Sequence, residues 1–301
     1  MSWKAFKKLV MIEQTLFGLP WALIGALLPF ANASFRNHFD FGNWSIWFWI
    51  FVAFSAARTS GMSFNRLIDS EMDALNPRTK GRSLPSGEVT KLQVGCVAWI
   101  SLVLFIFSCA MLNTWCLLFS LIISMLLWLY SYTKRYTFFC HFVLGLIEFF
   151  APFLGWVAVT GSYGFSTHEN AFFGWTPLFL GSSILFWISG MDIVYATQDI
   201  DFDREHSVNS IPARFGILNS LRIARMLHCA SVVFFVLAGI AASVTFLYYI
   251  GLMIVVCLFI YQHVIVQPNN LKRLHRAFFT CNSLIAVTQF VFTLGAILWI
   301  E

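Results

Sequence analysis

Eight of the 14 acidic residues fall in two short segments. The first reads Asn65-Arg66-Leu67-Ile68-Asp69-Ser70-Glu71-Met72-Asp73, and the second runs from Asp192 through Tyr195, Asp199, Asp201 and Asp203 to Glu205. At about 100° per residue, Asn65, Asp69 and Asp73 share one helical face, with Arg58 on it two turns earlier. On a helix running regularly to residue 205, Asp192, Asp199 and Asp203 fall within about 40° of one another beside Tyr195. Glu71, Asp201 and Glu205 then point away. Two acidic stripes opening towards one compartment need a cation between them. Mg²⁺ suits them, since it takes carboxylate, amide and water oxygens and is commonly shared between carboxylates and substrate phosphates. Arg66, Arg78, Lys80, Arg82, Lys134, Arg135 and Arg204 surround the same mouth. Acids and bases crowded together in this way suit a magnesium-bridged diphosphate, which neither set could neutralise alone.

One acidic cluster at a helix end is ordinarily solvated loop. Two clusters with matching four-residue spacing on one side argue for a joint task. Arg58 and Glu148 are charges within apolar spans, and so are either functional groups or a mutual structural pair. Gly18, Pro20, Pro152 and Gly155 read as packing or kink positions, and Trp44, Trp47 and Trp49 as an interfacial belt.

The elements that position these residues follow from composition. Of 301 residues, 59% belong to the AVILMFWYC set and 11% are charged, with a mean hydropathy of +0.75. A soluble domain carries about 45–50% apolar and about 25% charged residues, so soluble fold classes are excluded. Seven scattered Cys without paired spacing support neither a disulfide framework nor a thiolate metal site. Seven His, no two of them three or four apart, argue against haem ligation and His-box iron chemistry. No soluble or nucleic-acid-binding segment is present, and no obligatory protein partner is implied.

Runs of about 20 apolar residues, the length that crosses a bilayer, lie at roughly 15–34, 44–64, 92–112, 115–133, 139–160, 176–197, 222–243, 246–267 and 277–300. This predicts an all-α membrane protein, a bundle of nine transmembrane helices. Placing the N-terminus in the cytoplasm puts 17 of the 19 Lys and Arg on that side, and the positive-inside rule then sets the C-terminus outside. Residues 163–170 are expected outside and 80–88 inside. Lys7-Lys8 ahead of an apolar run ending in Ala31-Asn32-Ala33 have the outline of a leader. Glu13 and Gln14 interrupt that run, so a first span is the expectation.

The run Asn65-Arg66-x-x-Asp69-x-x-x-Asp73-x-x-Asn76-x-Arg78-Thr79-x-x-Arg82-x-Leu84-Pro85-x-Gly87 resembles the first signature of the UbiA superfamily of intramembrane aromatic prenyltransferases. Asp192-x-x-Tyr195-Ala196-x-x-Asp199-x-x-x-Asp203, followed by Ser210-Ile211-Pro212-x-x-Phe215-Gly216, is similar to its second. Tyr130-Ser131-Tyr132-Thr133-Lys134-Arg135 matches the basic loop between helices 4 and 5. Many members have Asn-Asp where this chain has Asn65-Arg66; the Asn-Arg form resembles a 4-hydroxybenzoate polyprenyltransferase or UbiA-like branch.

The resemblance spans residues 1–301 as one domain and implies a central cavity with a lateral opening to lipid. It implies Mg²⁺ held by Asn65 and Asp69 on one side and by Asp199 and Asp203 on the other, with Asp73 and Asp192 in support. Lys134, Arg135 and Arg66 would grip the diphosphate, with Arg78, Tyr195 and Arg204 beside them. Asp69, Asp199 and Asp192 would serve catalysis, and Arg58 would meet an acceptor carboxylate. The implied reaction joins a polyprenyl diphosphate to the ring of a 4-hydroxybenzoate-type acid in ubiquinone or menaquinone synthesis. The enzyme would be a multi-pass protein of the bacterial inner membrane type, its mouth facing the cytoplasm. A naphthoate, haem or lipid-alcohol acceptor stays open. An anion transporter fits less well, because transporters place their coupling charges near the midplane on broken helices.

Overall fold

The structure, a computed structural model, describes residues 1–11, 15–38, 41–162 and 172–299. Residues 163–170, expected on the outer side, lie outside the described residues, as do Glu13 and Gln14. Regular structure among the described residues is helical, with one isolated β-bridge between Gln267 and Asn270 and no strand. In chain order the helices are α1 (Trp3–Val10), α2 (Thr15–Leu27), α3 (Ala33–His38), α4 (Trp44–Ile68), α5 (Ser70–Leu75), α6 (Lys91–Leu112) and α7 (Thr114–Tyr136). There follow α8 (Cys140–Thr160), α9 (Thr176–Ala196), α10 (Ile200–Glu205), α11 (Ile211–Ala242), α12 (Phe246–Ile265) and α13 (Asn282–Leu298).

Seven described segments are long and apolar enough to cross a membrane: α6, α7, α8, the stretch holding α9, α11, α12 and the stretch holding α13. The other two spans expected from hydropathy coincide with α2 and α4. The apolar stretch of α2 with its 3₁₀ continuation, Phe17–Ala31, is short, and α4 has 25 residues but carries Arg58, Asn65 and Arg66.

Local chemistry explains the ends that shape the site. Thr90 and Gln93 form a reciprocal capping box that starts α6. Asn113 alone separates α6 from α7 and caps the latter by accepting from the Cys116 N–H (2.9 Å). Ser210 caps α11, with Pro212 in its first turn. Gly216 then takes φ +77°, a conformation that breaks α11 and favours glycine.

Packing is closest where small residues face backbone. A Cβ on Gly25 would strike the Pro152 carbonyl, and one on Gly155 the Ala22 carbonyl, so α2 and α8 meet backbone to backbone. Those two positions serve packing. α9 runs between α8 and α11 and is the most enclosed of the long helices. Its Trp187 is fully buried, 5.1 Å from the Trp21 ring, and donates to Asn282 Oδ1 (3.2 Å).

Both acidic segments depart from one regular helix. α4 ends at Ile68 and Asp69 sits at φ −91°, ψ 3°, yet the Asp73 N–H still bonds the Asp69 carbonyl at 2.8 Å. The i, i+4 relation therefore survives the joint. In the second segment the expectation of a regular helix to residue 205 is corrected: α9 stops at Ala196, Thr197–Asp199 form a 3₁₀ turn, and α10 follows. The tighter turn rewinds the chain locally. Asp199 and Asp203 still face inwards, while Asp201 and Glu205 are exposed.

Candidate active site

Three adjoining cavities lead from the helix ends into the apolar interior. The polar one, of about 200 Å³, is walled by both acidic segments together with Arg78, Arg82 and Lys134. A middle one, of about 190 Å³, shares Asn65, Arg82, Tyr130, Asp192 and Tyr195 with it and adds Arg58, Arg66 and Glu148. An apolar one, of about 90 Å³, shares Arg58 and Glu148 with the middle and is otherwise lined by residues such as Phe105, Phe150 and Leu154.

The first acidic segment is clamped by cations from elsewhere. Asp69 is 2% exposed; its Oδ2 accepts from Lys134 Nζ (2.6 Å) and from Asn65 Nδ2 (2.8 Å). Asp73 accepts from Arg82 Nη1 with both oxygens (2.7 and 2.8 Å) and lies 4.0 Å from buried Arg66. Burial pushes the Asp69 carboxyl above the usual carboxylate range, against the opposing pull of Lys134.

The second segment is tied to the first by the loop after α5. Arg78 reaches across to bind both Asp199 oxygens (2.8 and 2.6 Å), and its Nη1 meets the Tyr195 hydroxyl at 3.3 Å. Burial works against the Arg78 charge, but the hydrogen bonds and charge of Asp199 outweigh it and its pKa lies above the ordinary value. Asn76 accepts from the Arg78 N–H in a local turn and donates to Asp199 (3.1 Å). Asp203 accepts from the Ser210 hydroxyl (2.7 Å), and Asp192 Oδ2 lies 2.7 Å from His141 Nδ1. At the chamber boundary, the π-helical turn Arg276–Cys281 sets Phe278 4.0 Å from the Tyr195 ring.

Of the residues singled out in the sequence, Asn65, Asp69, Asp73, Arg78, Lys134, Asp192, Tyr195, Asp199 and Asp203 line the polar cavity. Arg58 and Arg66 line the middle one. Arg135 stands behind it, donating to the Ile68 carbonyl (2.8 Å) next to Asp69. Arg204 is not brought in: it is exposed and bonds the Ala213 carbonyl (3.0 Å). Sequence reasoning passed over His141 as one of seven scattered histidines and gave no role to Asn76 or Ser210. An ionisable residue at the start of an apolar span was the signal available for His141.

The donor set suits a hard divalent ion. Five carboxylates and three asparagine amides share one cavity, and Asp69 Oδ1 is buried with no hydrogen-bond partner. Among the described residues no three His, Cys, Asp or Glu side chains converge into a closed metal site, because the acids are drawn onto Lys134, Arg82 and Arg78. Asn65, Asp69, Asp73, Asp199 and Asp203 fit an ion that arrives with a phosphate.

Known proteins share the sequence pattern and the fold. The model of the UbiA prenyltransferase family matches residues 20–284. The 4-hydroxybenzoate octaprenyltransferase of Marinobacter nauticus is 28% identical over 226 residues, 75% of this chain and 73% of that one. A UbiA homolog from Aeropyrum pernix K1 superposes with a TM-score of 0.80 at 27% identity, covering 93% of this chain and 98% of that one. A UbiA homolog from Archaeoglobus fulgidus bound to DMAPP and Mg²⁺ shares the fold, with a TM-score of 0.68 at 15% identity over 98% and 99% of the two chains. The chain is an integral membrane prenyltransferase, and it belongs to the UbiA prenyltransferase family.

Proposed function

We propose that this enzyme transfers a polyprenyl chain from its diphosphate to the ring of a 4-hydroxybenzoate-type acid, with Mg²⁺, as a step of ubiquinone or menaquinone synthesis. The observation that carries this reading is the junction of cavities. A polar chamber with five carboxylates and three cations opens, past Arg58 and Asp192, onto an apolar chamber. That sequence of environments matches a substrate with a diphosphate head, a reacting carbon and an isoprenoid tail.

Asn65, Asp69, Asp73, Asp199 and Asp203 would hold Mg²⁺, which when bound neutralises the diphosphate and supports it as a leaving group. Lys134, Arg78 and Arg66 would exchange their carboxylate partners for phosphate oxygens, with Arg135 bracing the Asp69 joint and Tyr195 adding a hydroxyl. Cations aimed at charge that develops on the leaving group lower the barrier. The C1–O bond breaks with its electron pair leaving on the diphosphate. A ring π pair then forms the new bond to C1, and the ring C–H proton passes to Asp192. Apolar walls keep water from the allylic cation. Arg58 would pair with the acceptor carboxylate.

In the membrane we propose nine spans, with α2 and α4 joining the seven long apolar helices, the N-terminus and cavity mouth cytoplasmic and the C-terminus outside. The distribution of basic residues supports this. Membranes containing the enzyme, given labelled polyprenyl diphosphate and a panel of phenolic and naphthoic acids, should yield a prenylated acid identifiable by mass spectrometry. Accumulation of unaltered substrate in sealed vesicles would overturn the reading.

A further inference from the structure

His141 belongs to neither acidic signature, yet three elements fix it. The side chain is at the start of α8, is 2% exposed, and places Nδ1 2.7 Å from Asp192 Oδ2 on α9. Its Nε2 lies 3.3 Å from the backbone nitrogen of Ile211, in the first turn of α11. A backbone N–H can only donate, so Nε2 accepts and the ring hydrogen sits on Nδ1, directed at Asp192. A second ring proton would point at the Ile211 N–H and break that bond. One turn further along α8, Gly145 lets the helices close up: a Cβ there would strike Ser189 Oγ and the Leu185 carbonyl of α9.

Two consequences follow. His141 engages one oxygen of Asp192 and leaves the other to the cavities, at the wall shared by the polar and middle chambers. The residue before Ile211 is Ser210, whose hydroxyl donates to Asp203 (2.7 Å). Through adjacent residues 210 and 211, the carboxylate on the diphosphate side is joined to the carboxylate on the acceptor side.

We propose that His141 is a positioning residue for the transfer reaction: a neutral donor that holds Asp192 ionised and turned towards the acceptor ring. This rests on the prenyl-transfer reading above. The ring itself exchanges no proton during turnover. Glutamine can reproduce the task, since its amide can donate to Asp192 and accept from Ile211, whereas alanine cannot.

The test is steady-state kinetics in membranes for wild type, His141→Ala, His141→Gln, Asp192→Asn and the His141→Ala/Asp192→Asn double variant. His141→Ala should lower kcat by at least about 30-fold with KM for the diphosphate changed less than about threefold. His141→Gln should recover to within about fivefold of wild type. In the Asp192→Asn background, removing His141 should cost less than about twofold, because the two residues act as one unit. If His141→Ala does not accumulate, His141→Asn, too short to span both partners, takes its place with the same expected loss.

His141→Gln as slow as His141→Ala would overturn the proposal, since it would mean that the ring must titrate. A full cost of removing His141 without Asp192 would overturn it too, by showing a role in packing alone. Wild type that forms no prenylated product would sink the prenyl-transfer reading itself, and the proposal with it.

Discussion

The two acidic segments face one cavity but are neutralised in different ways. In the first, Asp69 and Asp73 are buried and each is held by a full cation, Lys134 or Arg82. In the second, among the described residues, Asp199 alone is paired with a Lys or Arg, namely Arg78, which comes from the loop following the first segment. Asp203 rests on a serine hydroxyl and Asp192 on an imidazole. The first half is therefore charge-balanced as it stands, and the second lacks positive charge. The contrast teaches that, on the proposed reading, a Mg²⁺–diphosphate would meet two unlike walls. One would give up its cations to phosphate, while the other would gain a cation it did not have. Arg78 links the two processes because it belongs to one segment and neutralises the other.

Removing the metal or its principal holders should have the largest effect. Excess EDTA should abolish turnover, and Asp69→Ala and Asp199→Ala should each leave less than about a hundredth of it, a loss of about 2.7 kcal/mol or more in transition-state stabilisation. Asp69 should also cost stability, because its removal leaves Lys134 facing a half-buried Asn65 amide without the shared carboxylate. Membrane-extracted Asp69→Ala should melt below Asp199→Ala. Equal melting would erase the distinction between a balanced wall and an open one.

Next comes the sorting of acids within the second segment. Asp203→Asn should slow turnover at least about a hundredfold, while Asp201→Asn and Glu205→Gln should cost less than about threefold, since screened surface charge contributes little. Asp203 is 8% exposed and both others are exposed, so equal losses at Asp201 and Asp203 would contradict the structure's placement of α10.

This sorting shows what could be read beforehand. Four-residue spacing alone marked Asn65, Asp69 and Asp73, and the ladder across the Asp69 joint preserved that relation. The break after Ala196 left no trace, because Thr197-Gln198-Asp199 contain neither Gly nor Pro. Pairings were hidden for another reason. Arg78 meets Asp199 across 121 residues, His141 meets Asp192 across 51, and no local period encodes such contacts. Arg204 shows the converse error: proximity in sequence to Asp203 suggested phosphate, and its guanidinium turned to a backbone carbonyl instead.

Smaller effects should follow from Arg78 and from pH. Arg78→Ala should raise KM for the diphosphate about tenfold and leave the acceptor KM within about threefold, because Arg78 stands in the polar chamber and does not line the one containing Arg58. Acidification should weaken Mg²⁺ binding early. Burial raises the Asp69 carboxyl, so a proton competes with the metal at a pH above the ordinary carboxylate range, and metal affinity falls as pH drops through that raised value. In Asp69→Asn the residual Mg²⁺ affinity should lose this acid limb. An unchanged limb would assign it to another carboxylate.

The central claim is that the two unlike walls act together on one metal-bound diphosphate and pass its prenyl chain to an aromatic acid. Its most direct measurement is the product formed by wild-type membranes from polyprenyl diphosphate and 4-hydroxybenzoate, with Mg²⁺ and with excess EDTA, followed by mass spectrometry. The account predicts a ring-prenylated acid and one released diphosphate per turnover, both lost with chelator. Full turnover in EDTA, or diphosphate release without a carbon–carbon product, would contradict it.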